Sequence, residues 1–490
     1  MKNQKKYKFL PFNFMRLNGS TLVTNMGGDF QILSNETFDK FINYNICPTD
    51  SIYLDLKAKQ FIYNNSPNLP IQLLATQYRT KKSFLRNFTG LHMVVVTIRC
   101  NQKCKYCQVS SEDSDANEYD MTPETAKKCV DLIFNTPSPY IKIEFQGGEP
   151  LLNFGVVKYI IEYAEEQNHK YDKKLEFVIC TNLSSTNEEQ LEFCKIHNIY
   201  ISTSLDGPAK IHNQNRIMEN KCGSYKEVIK GLQKAQSVLG KDKISALMTT
   251  TRASLGKFPE IVDEYISLGF NSIFFRSLNP YGMARKYQEI ISYTTEEFVS
   301  SYCQGLDYII DLNLEGTLFI EEYARLLFKR ILTPFATGFV DLQSPTGAGI
   351  GGAIYDYDGR VFVADEGRML ARKGDTQFLM GHVDDGYKTL FGGDVIRQTV
   401  ASSCVECLPQ CCDCAFQIWC GADPVRNYTT QGDLIGYRPT NEFCKKNMAL
   451  IKYLLKKIHN AHDEVLDVIW SWITGTCINL NNLSETAENK

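Results

Sequence analysis

The chain reads as an α/β protein built on a partial six-stranded barrel of parallel strands, with a small N-terminal module before it and a cysteine-rich segment after it. Three observations carry this expectation. Between residue 91 and about residue 280, short apolar runs alternate with amphipathic helical stretches, the order that lays strands in parallel with helical crossovers. The polar motifs of that stretch fall just behind the predicted strands, where βα loops gather the chemistry of such folds. Of the 17 cysteines, three stand close behind the first strand and seven crowd residues 404–444.

A chain of 490 residues is too long for one core. Composition shifts divide it into a module at 1–88, the barrel at 89–285, a helical connector at 286–340, a cysteine-rich domain at 341–450, and a helix with a polar, disordered tail at 451–490. Hydrophobic content of 43% and a net charge of −3 describe a globular protein without the basic footprint of nucleic-acid binding. No apolar run reaches signal-peptide or membrane-spanning length, so a cytoplasmic protein with no membrane partner is expected. In that setting, clustered cysteines point to metal binding and not to disulfides. Scattered singles such as Cys129 and Cys194 read as inert packing residues.

At the N-terminus, residues 7–17 and 20–25 are strand candidates broken by Asn18-Gly19; Gly27-Gly28 turns into residues 29–33, and a helix at 34–43 capped by Ser34 follows. This order suits a winged-helix-like module whose sheet edge accepts a peptide by strand addition, or an extension that caps the barrel. The barrel strands are predicted at 91–97, 141–146, 175–181, 199–205, 244–250 and 272–277. Helices at 122–136, 154–168, 187–197, 224–238 and 257–268 lie between them, the first opened by Thr122-Pro123-Glu124. A helical connector near 294–330 leads to a glycine-rich stretch and a hairpin at 354–363 around Asp358-Gly359. Residues 448–473 read as one amphipathic helix docked on the protein.

The chemistry begins at Cys100, Cys104 and Cys107. Three thiolates are one short of a closed tetrahedral zinc site, but they suit a 4Fe–4S cluster with one iron left open. A structural zinc loop that borrows its fourth ligand is the competing reading. The spacing Cys-x3-Cys-x2-Cys, with Tyr106 before the last cysteine, resembles the radical S-adenosylmethionine (radical SAM) superfamily. That resemblance implies SAM chelated to the open iron, reductive cleavage to a 5′-deoxyadenosyl radical, and Tyr106 packed near adenine. Gly147, Gly148, Glu149 and Pro150 follow the second strand. The glycines let backbone approach a ligand closely, and the stretch resembles the motif that holds the SAM amino group, with Glu149 as its acceptor. Asn182, behind the third strand, is placed to face the cofactor. By the same resemblance, Ser204 and Arg216 bind the SAM carboxylate, for which a hydroxyl and a guanidinium are suitable partners. Asp206 caps its turn or touches ligand, His212 is structural, and Arg276 reaches substrate or cofactor.

The hairpin looks like the start of a SPASM domain, the cluster-binding extension of radical SAM peptide-modifying enzymes. Cysteines for a first auxiliary cluster are missing from it. Asp365, the acid kept at its end, resembles the catalytic base of sulfatase-maturing relatives and is the candidate proton acceptor; an ordinary turn carboxylate is the alternative. Cys411, Cys414, Cys420 and Cys444 match the ligand pattern of the second auxiliary cluster, so one auxiliary 4Fe–4S cluster is expected, with a zinc ribbon as the alternative. Cys404, Cys407 and Cys412 furnish another ligand or line an entry path.

The narrower resemblance is to the His-Xaa-Ser system radical SAM maturases of the HxsB type. It rests on Leu10-Pro-Phe-Asn-Phe-Met-Arg-Leu17, Thr24-Asn-Met-Gly-Gly-Asp-Phe30, Asp365-Glu-Gly-Arg-Met-Leu-Ala371 and Cys420-Gly-Ala-Asp-Pro-Val425. It implies modification of a ribosomally made precursor peptide bearing His-Xaa-Ser repeats. A second radical SAM maturase as partner and a reductant such as flavodoxin or ferredoxin go with it. The auxiliary cluster would accept the substrate electron or organise the peptide. Two rival readings are an anaerobic sulfatase-maturing type enzyme that oxidises serine or cysteine to formylglycine, and a non-catalytic iron–sulfur scaffold or electron carrier.

Overall fold

In the computed structural model, which describes residues 7–109 and 111–476, six parallel strands stand side by side in chain order. They are Leu91–Thr97, Tyr140–Gly147, Lys174–Cys180, Tyr200–Ser204, Ile244–Thr249 and Phe275–Arg276. Helices Pro123–Phe134, Phe154–Tyr171, Glu188–Ile196, Tyr225–Leu239 and Phe258–Ser267 cross between them. Local sequence sets their starts. Thr122 caps the first helix with Pro123 behind it, and Asn187 and Gln190 form a capping box on the third. Val94, Val95 and Val96 in succession are fully buried, as expected for a parallel strand covered on both faces.

The sixth strand differs from its prediction. Residues 272–277 split into Ser272–Ile273, which pairs with Ile320–Glu321 outside the main sheet, and Phe275–Arg276, which pairs with Met248 and Thr249. The buried Glu321 carboxylate accepts from the Phe275 amide at 3.0 Å, so a side chain takes a donor that a continuous strand would use.

The hairpin is continuous with the barrel. Gly352–Tyr355 lies parallel to the outer edge of Leu91–Thr97, Gly352 opposite Leu91 and Tyr355 opposite Val94. Arg360–Phe362 and Leu379–His382 follow, which extends the sheet to nine strands. Asp358-Gly359 makes the predicted turn, Gly359 taking a φ of +86°. The first parallel strand therefore has the cysteine-rich half of the chain bonded along its free edge.

The N-terminal strands Phe12–Leu17, Ser20–Asn25 and Phe30–Ser34 form an antiparallel sheet. Helix Asn35–Ile42 follows, with Ser34 accepting from the Thr37 amide as its cap, then helices Ser51–Ala58 and Asn68–Lys81. This module docks on the cysteine-rich segment. Asn13 donates to the carbonyls of Cys412 and Cys414 at 3.1 and 3.2 Å, Thr24 donates to that of Ala415, and the Phe30 ring meets Trp419 edge-on.

At the C-terminus the single predicted helix is two, Glu442–Asn460 and Asp463–Thr474, broken at Ala461 and His462. Leu450, Ile451, Leu454 and Trp472 are buried against the connector helices Thr295–Leu314 and Glu322–Leu332, while Trp470 stays exposed. The predicted disordered tail lies outside the described residues from 477 on. Among the described residues no helix is long and apolar enough to cross a membrane.

Candidate active site

The loop that carries Cys100, Cys104 and Cys107 emerges from the first parallel strand and is gripped from several sides. The Cys100 amide donates to the Glu112 carbonyl, Lys103 and Lys105 donate to Ile217 and Asn215, and Met283 donates to the Cys107 carbonyl, all within 3.1 Å. Burial first, then the neighbouring thiols and Glu149, holds the Cys100 thiol well above its ordinary range. Burial pushes Cys104 up to about 12, opposed by Arg216 and reinforced by Cys107. Buried thiols that raise one another are poor thiolates until a positively charged group joins them, and thiolates are what an iron–sulfur cluster takes. The donor set therefore fits such a group.

Gly147 and Gly148 close the second strand onto its neighbour. They permit a close approach to the chain's own cysteine loop. A Cβ on Gly147 would lie 1.9 Å from the Thr97 carbonyl oxygen, and one on Gly148 would lie 2.0 Å from that of Arg99. The Gly148 and Glu149 amides donate to those same carbonyls at 3.0 and 2.7 Å. Glu149 is buried, and its carboxylate accepts from the Leu151 amide, the Thr181 hydroxyl and the Asn182 amide. Burial raises its pKa against the pull of these donors and of Arg216. Three of its lone-pair sites are thus taken, one by the turn it caps and two by the end of the third strand, which leaves about one for an ammonium group. Asn182 reaches back to the loop, donating to the Asn101 side chain at 2.9 Å.

The fourth strand ends at Ser204, which is partly exposed. Behind it lies a buried network whose centre the sequence did not reveal. Asp206, fully buried, accepts from the Tyr106 hydroxyl on both oxygens at 2.8 and 2.9 Å, from Asn215 at 3.0 Å and from the Thr249 amide at 3.3 Å. The Arg216 Nε donates to the Tyr106 oxygen at 2.6 Å and lies 3.7 Å from Asp206. Nη1 makes only a 3.5 Å contact with Gln102. The Tyr106 hydroxyl is thereby held between Asp206 and Arg216, and its ring packs with Ala284 and Ile291. His212 is structural: burial lowers its pKa to about 3, and it bridges the Asp206 amide and Ser224. Arg276 ends the short sixth strand, partly exposed; burial first, then Arg426 and more weakly Arg276, lowers the pKa of Lys446.

Asp365 opens the short helix Asp365–Ala371 and is ion-paired to buried Arg368, whose Nη2 is 2.7 Å away. Arg368 also feels Cys107, so this helix borders the cysteine loop. The neighbouring Glu366 escaped the sequence reading. It faces Asp423 and Asp341, and burial followed by those carboxylates drives its pKa upward. Asp423 is raised as well, by burial first. The signal available for the pair was weak: two acids on separate motifs, 57 residues apart.

In the cysteine-rich segment, Cys411, Cys414, Cys420 and Cys444 form one electrostatic group. Burial is the main cause of the raised pKa values of Cys414, Cys420 and Cys444, and each of these three is raised further by others of the four. Cys444 sits in the first turn of helix Glu442–Asn460, where the helix dipole favours a thiolate. The Phe416 amide donates to the Cys414 sulfur. Where the first auxiliary ligands would stand, Val363 packs with Ile350, Leu370 and Ile396, and Ala422 packs with Val405 and Leu408. Cys404 and Cys407 lie apart, beside Glu406, which is paired with Lys82; Cys412 lies beside Asp413.

Residues 94–252 match the Radical SAM superfamily. The chain is 34% identical over 193 residues to an uncharacterized protein of Methanocaldococcus jannaschii, and 25% identical over 245 residues to the radical SAM cyclopropyl synthase TigE of Paramaledivibacter caminithermalis. These alignments take in 39% and 46% of this chain, and they span 63% and 47% of the relatives' own lengths. A cysteine-type anaerobic sulfatase-maturating enzyme of Clostridium perfringens is 22% identical over 75% of this chain and 96% of its own. Among solved structures, native anSMEcpe with bound AdoMet superposes with a TM-score of 0.61 at 18% identity, over 76% of this chain and 98% of that one. Streptococcus suis SuiB bound to S-adenosylmethionine gives 0.55 at 15%, over 89% and 98%. Residues 94–252 thus match the radical SAM superfamily, in a chain that shares its fold with anSMEcpe and SuiB.

Proposed function

We propose that this radical SAM chain is a peptide maturase, acting on a ribosomally made precursor peptide that bears His-Xaa-Ser repeats. The observation that carries the enzymatic part is the meeting, at the ends of the parallel strands, of the buried Cys100 and the half-buried Cys104 and Cys107 with Glu149 and Arg216. Cys100, Cys104 and Cys107 would hold a 4Fe–4S cluster, which with bound SAM supplies a 5′-deoxyadenosyl radical for hydrogen abstraction from the peptide. Arg216, fixed through Nε by Tyr106, keeps its terminal nitrogens for the SAM carboxylate, with Ser204 beside it. Glu149 holds the strand ends in register and offers its remaining lone pair to the SAM ammonium. Cys411, Cys414, Cys420 and Cys444 would hold one auxiliary cluster, and Asp365 would take the substrate proton.

The peptide substrate is supported by the SPASM-like maturase relatives, and the His-Xaa-Ser repeat by the four motifs quoted from the sequence. A second reading, a sulfatase-maturing type enzyme, is favoured by the similarity that runs the length of the Clostridium perfringens enzyme. The experiment that separates them measures 5′-deoxyadenosine released by anaerobically reconstituted protein with SAM and reductant. Release should rise with a His-Xaa-Ser repeat peptide and not with a sulfatase-derived peptide. The opposite response moves the substrate assignment to the second reading. Cys104→Ala should abolish release, and normal release from that variant would remove the cluster assignment itself.

A further inference from the structure

Arg438 stands in the turn Arg438–Thr440, directly before the helix that carries Cys444. It is only 8% exposed. Its Nε donates to the Cys411 sulfur at 3.1 Å, and its charge acts on Cys444 as well. Among the described residues it makes no ion pair with a carboxylate, and its Nη2 is buried with no acceptor. A guanidinium is always charged and carries five donors in one rigid plane. Leaving such a donor buried and unmatched costs about 1–3 kcal/mol or more, so a chain keeps it where an acceptor arrives after folding. With Nε fixed on Cys411 and the plane rigid, that acceptor belongs beside the four sulfurs.

We infer that Arg438 sets the redox behaviour of the group held by Cys411, Cys414, Cys420 and Cys444. It donates through Nε to the Cys411 sulfur and through Nη2 to an acceptor atom of that group. The inference rests on the auxiliary-cluster reading above. Its physical basis is that reduction adds negative charge to the group. A buried cation in hydrogen-bond contact favours the reduced form, and hydrogen bonds to sulfur are among the determinants of cluster potentials. Arg438 is in this sense a positioning and tuning residue, not a catalytic one.

The test uses the full chain with C100A/C104A/C107A substitutions, so that the C-terminal thiols hold the only cluster. Iron content, circular dichroism and a redox titration followed by visible absorbance and electron paramagnetic resonance are measured for Arg438, R438K and R438M. The midpoint potential should fall in R438M at unchanged iron content, with R438K between, and the resonance signature of the reduced form should change. Equal potentials and signatures in all three would overturn the role of Arg438. Should R438M lose iron while staying folded, R438Q and R438K decide, since both keep a donor and differ in charge: a lower potential in R438Q supports the inference, and equal potentials overturn it. A C411A protein in the same background that keeps its full iron would instead sink the auxiliary-cluster reading.

Discussion

Arg216→Met removes the charge from the buried network while keeping most of its volume. In the native chain Asp206 has four neutral hydrogen-bond contacts and lies 3.7 Å from the Arg216 Nε. Burial raises its pKa, and Arg216 is the largest influence opposing that rise. Removing one partner of a buried charge pair costs ~3–5 kcal/mol; the surviving donors place this case near the lower end, about 3 kcal/mol. The loss depends on pH in a fixed direction. A carboxyl whose folded pKa lies above its unfolded value of 3.8 binds protons more tightly when folded, so its burial subtracts stability as pH rises above that value. Without Arg216 the folded pKa climbs further, and the deficit of R216M should be larger at pH 8 than at pH 5.5. Adding D206N removes the stranded charge and should restore most of the lost melting temperature. The assay is thermal unfolding of reduced, metal-free protein at both pH values for the two single variants and the double. A deficit that ignores pH, together with no recovery in the double variant, would refute the reasoning.

Three further outcomes follow from the same geometry. Gly148→Ala sets a Cβ 2.0 Å from the Arg99 carbonyl, so the cysteine loop must shift; iron bound by the first site should fall and stability should drop by about 1–3 kcal/mol, the usual cost of overpacking, read from iron content and melting temperature. Cys420→Ala should lower iron content while sparing 5′-deoxyadenosine release without peptide, yet stop formation of modified peptide, which mass spectrometry reads. Glu366 is held protonated more tightly in the folded chain than its ordinary value of 4.5 would allow, so its burial subtracts stability as pH rises above that value; Glu366→Gln should melt above the native protein at pH 8, with the gap closing toward pH 5.

The alternation of strand and helix was legible because each parallel strand is short, apolar and bounded by its own cap or turn, as at Thr122-Pro123 and Asn187. What the sequence hid is what long-range pairing decides. Nothing within Gly352–Tyr355 announces that it pairs with Leu91–Val94, some 260 residues earlier, because a buried strand carries the same apolar pattern whichever neighbour it takes. The split of residues 272–277 depends on Glu321, which is remote in sequence. Helix Asn68–Lys81 left no periodic signal, since Leu69, Ile71 and Leu73 are exposed and only Leu74 is buried. The break at Ala461 and His462 carries neither proline nor glycine, so nothing local marks it as a helix end.

At the site, residue identity was easier to read than residue role. The loop from Cys100 to Cys107 has no helix or ladder of its own, so its shape must be imposed from outside, and the motif residues impose it. Gly147 and Gly148 let the second strand close on Thr97 and Arg99, and Asn182 ties the third strand to Asn101. The segment after the fourth strand clamps Lys103 and Lys105, while Asp206 and Arg216 hold Tyr106 between them. A motif whose residues are spread over four strand ends is what an eight-residue loop needs if three thiols are to be held at fixed spacing before anything binds them. The same side chains can then present a guanidinium and a carboxylate to a ligand with little further ordering to do, because the entropy of fixing them has already been met by the fold.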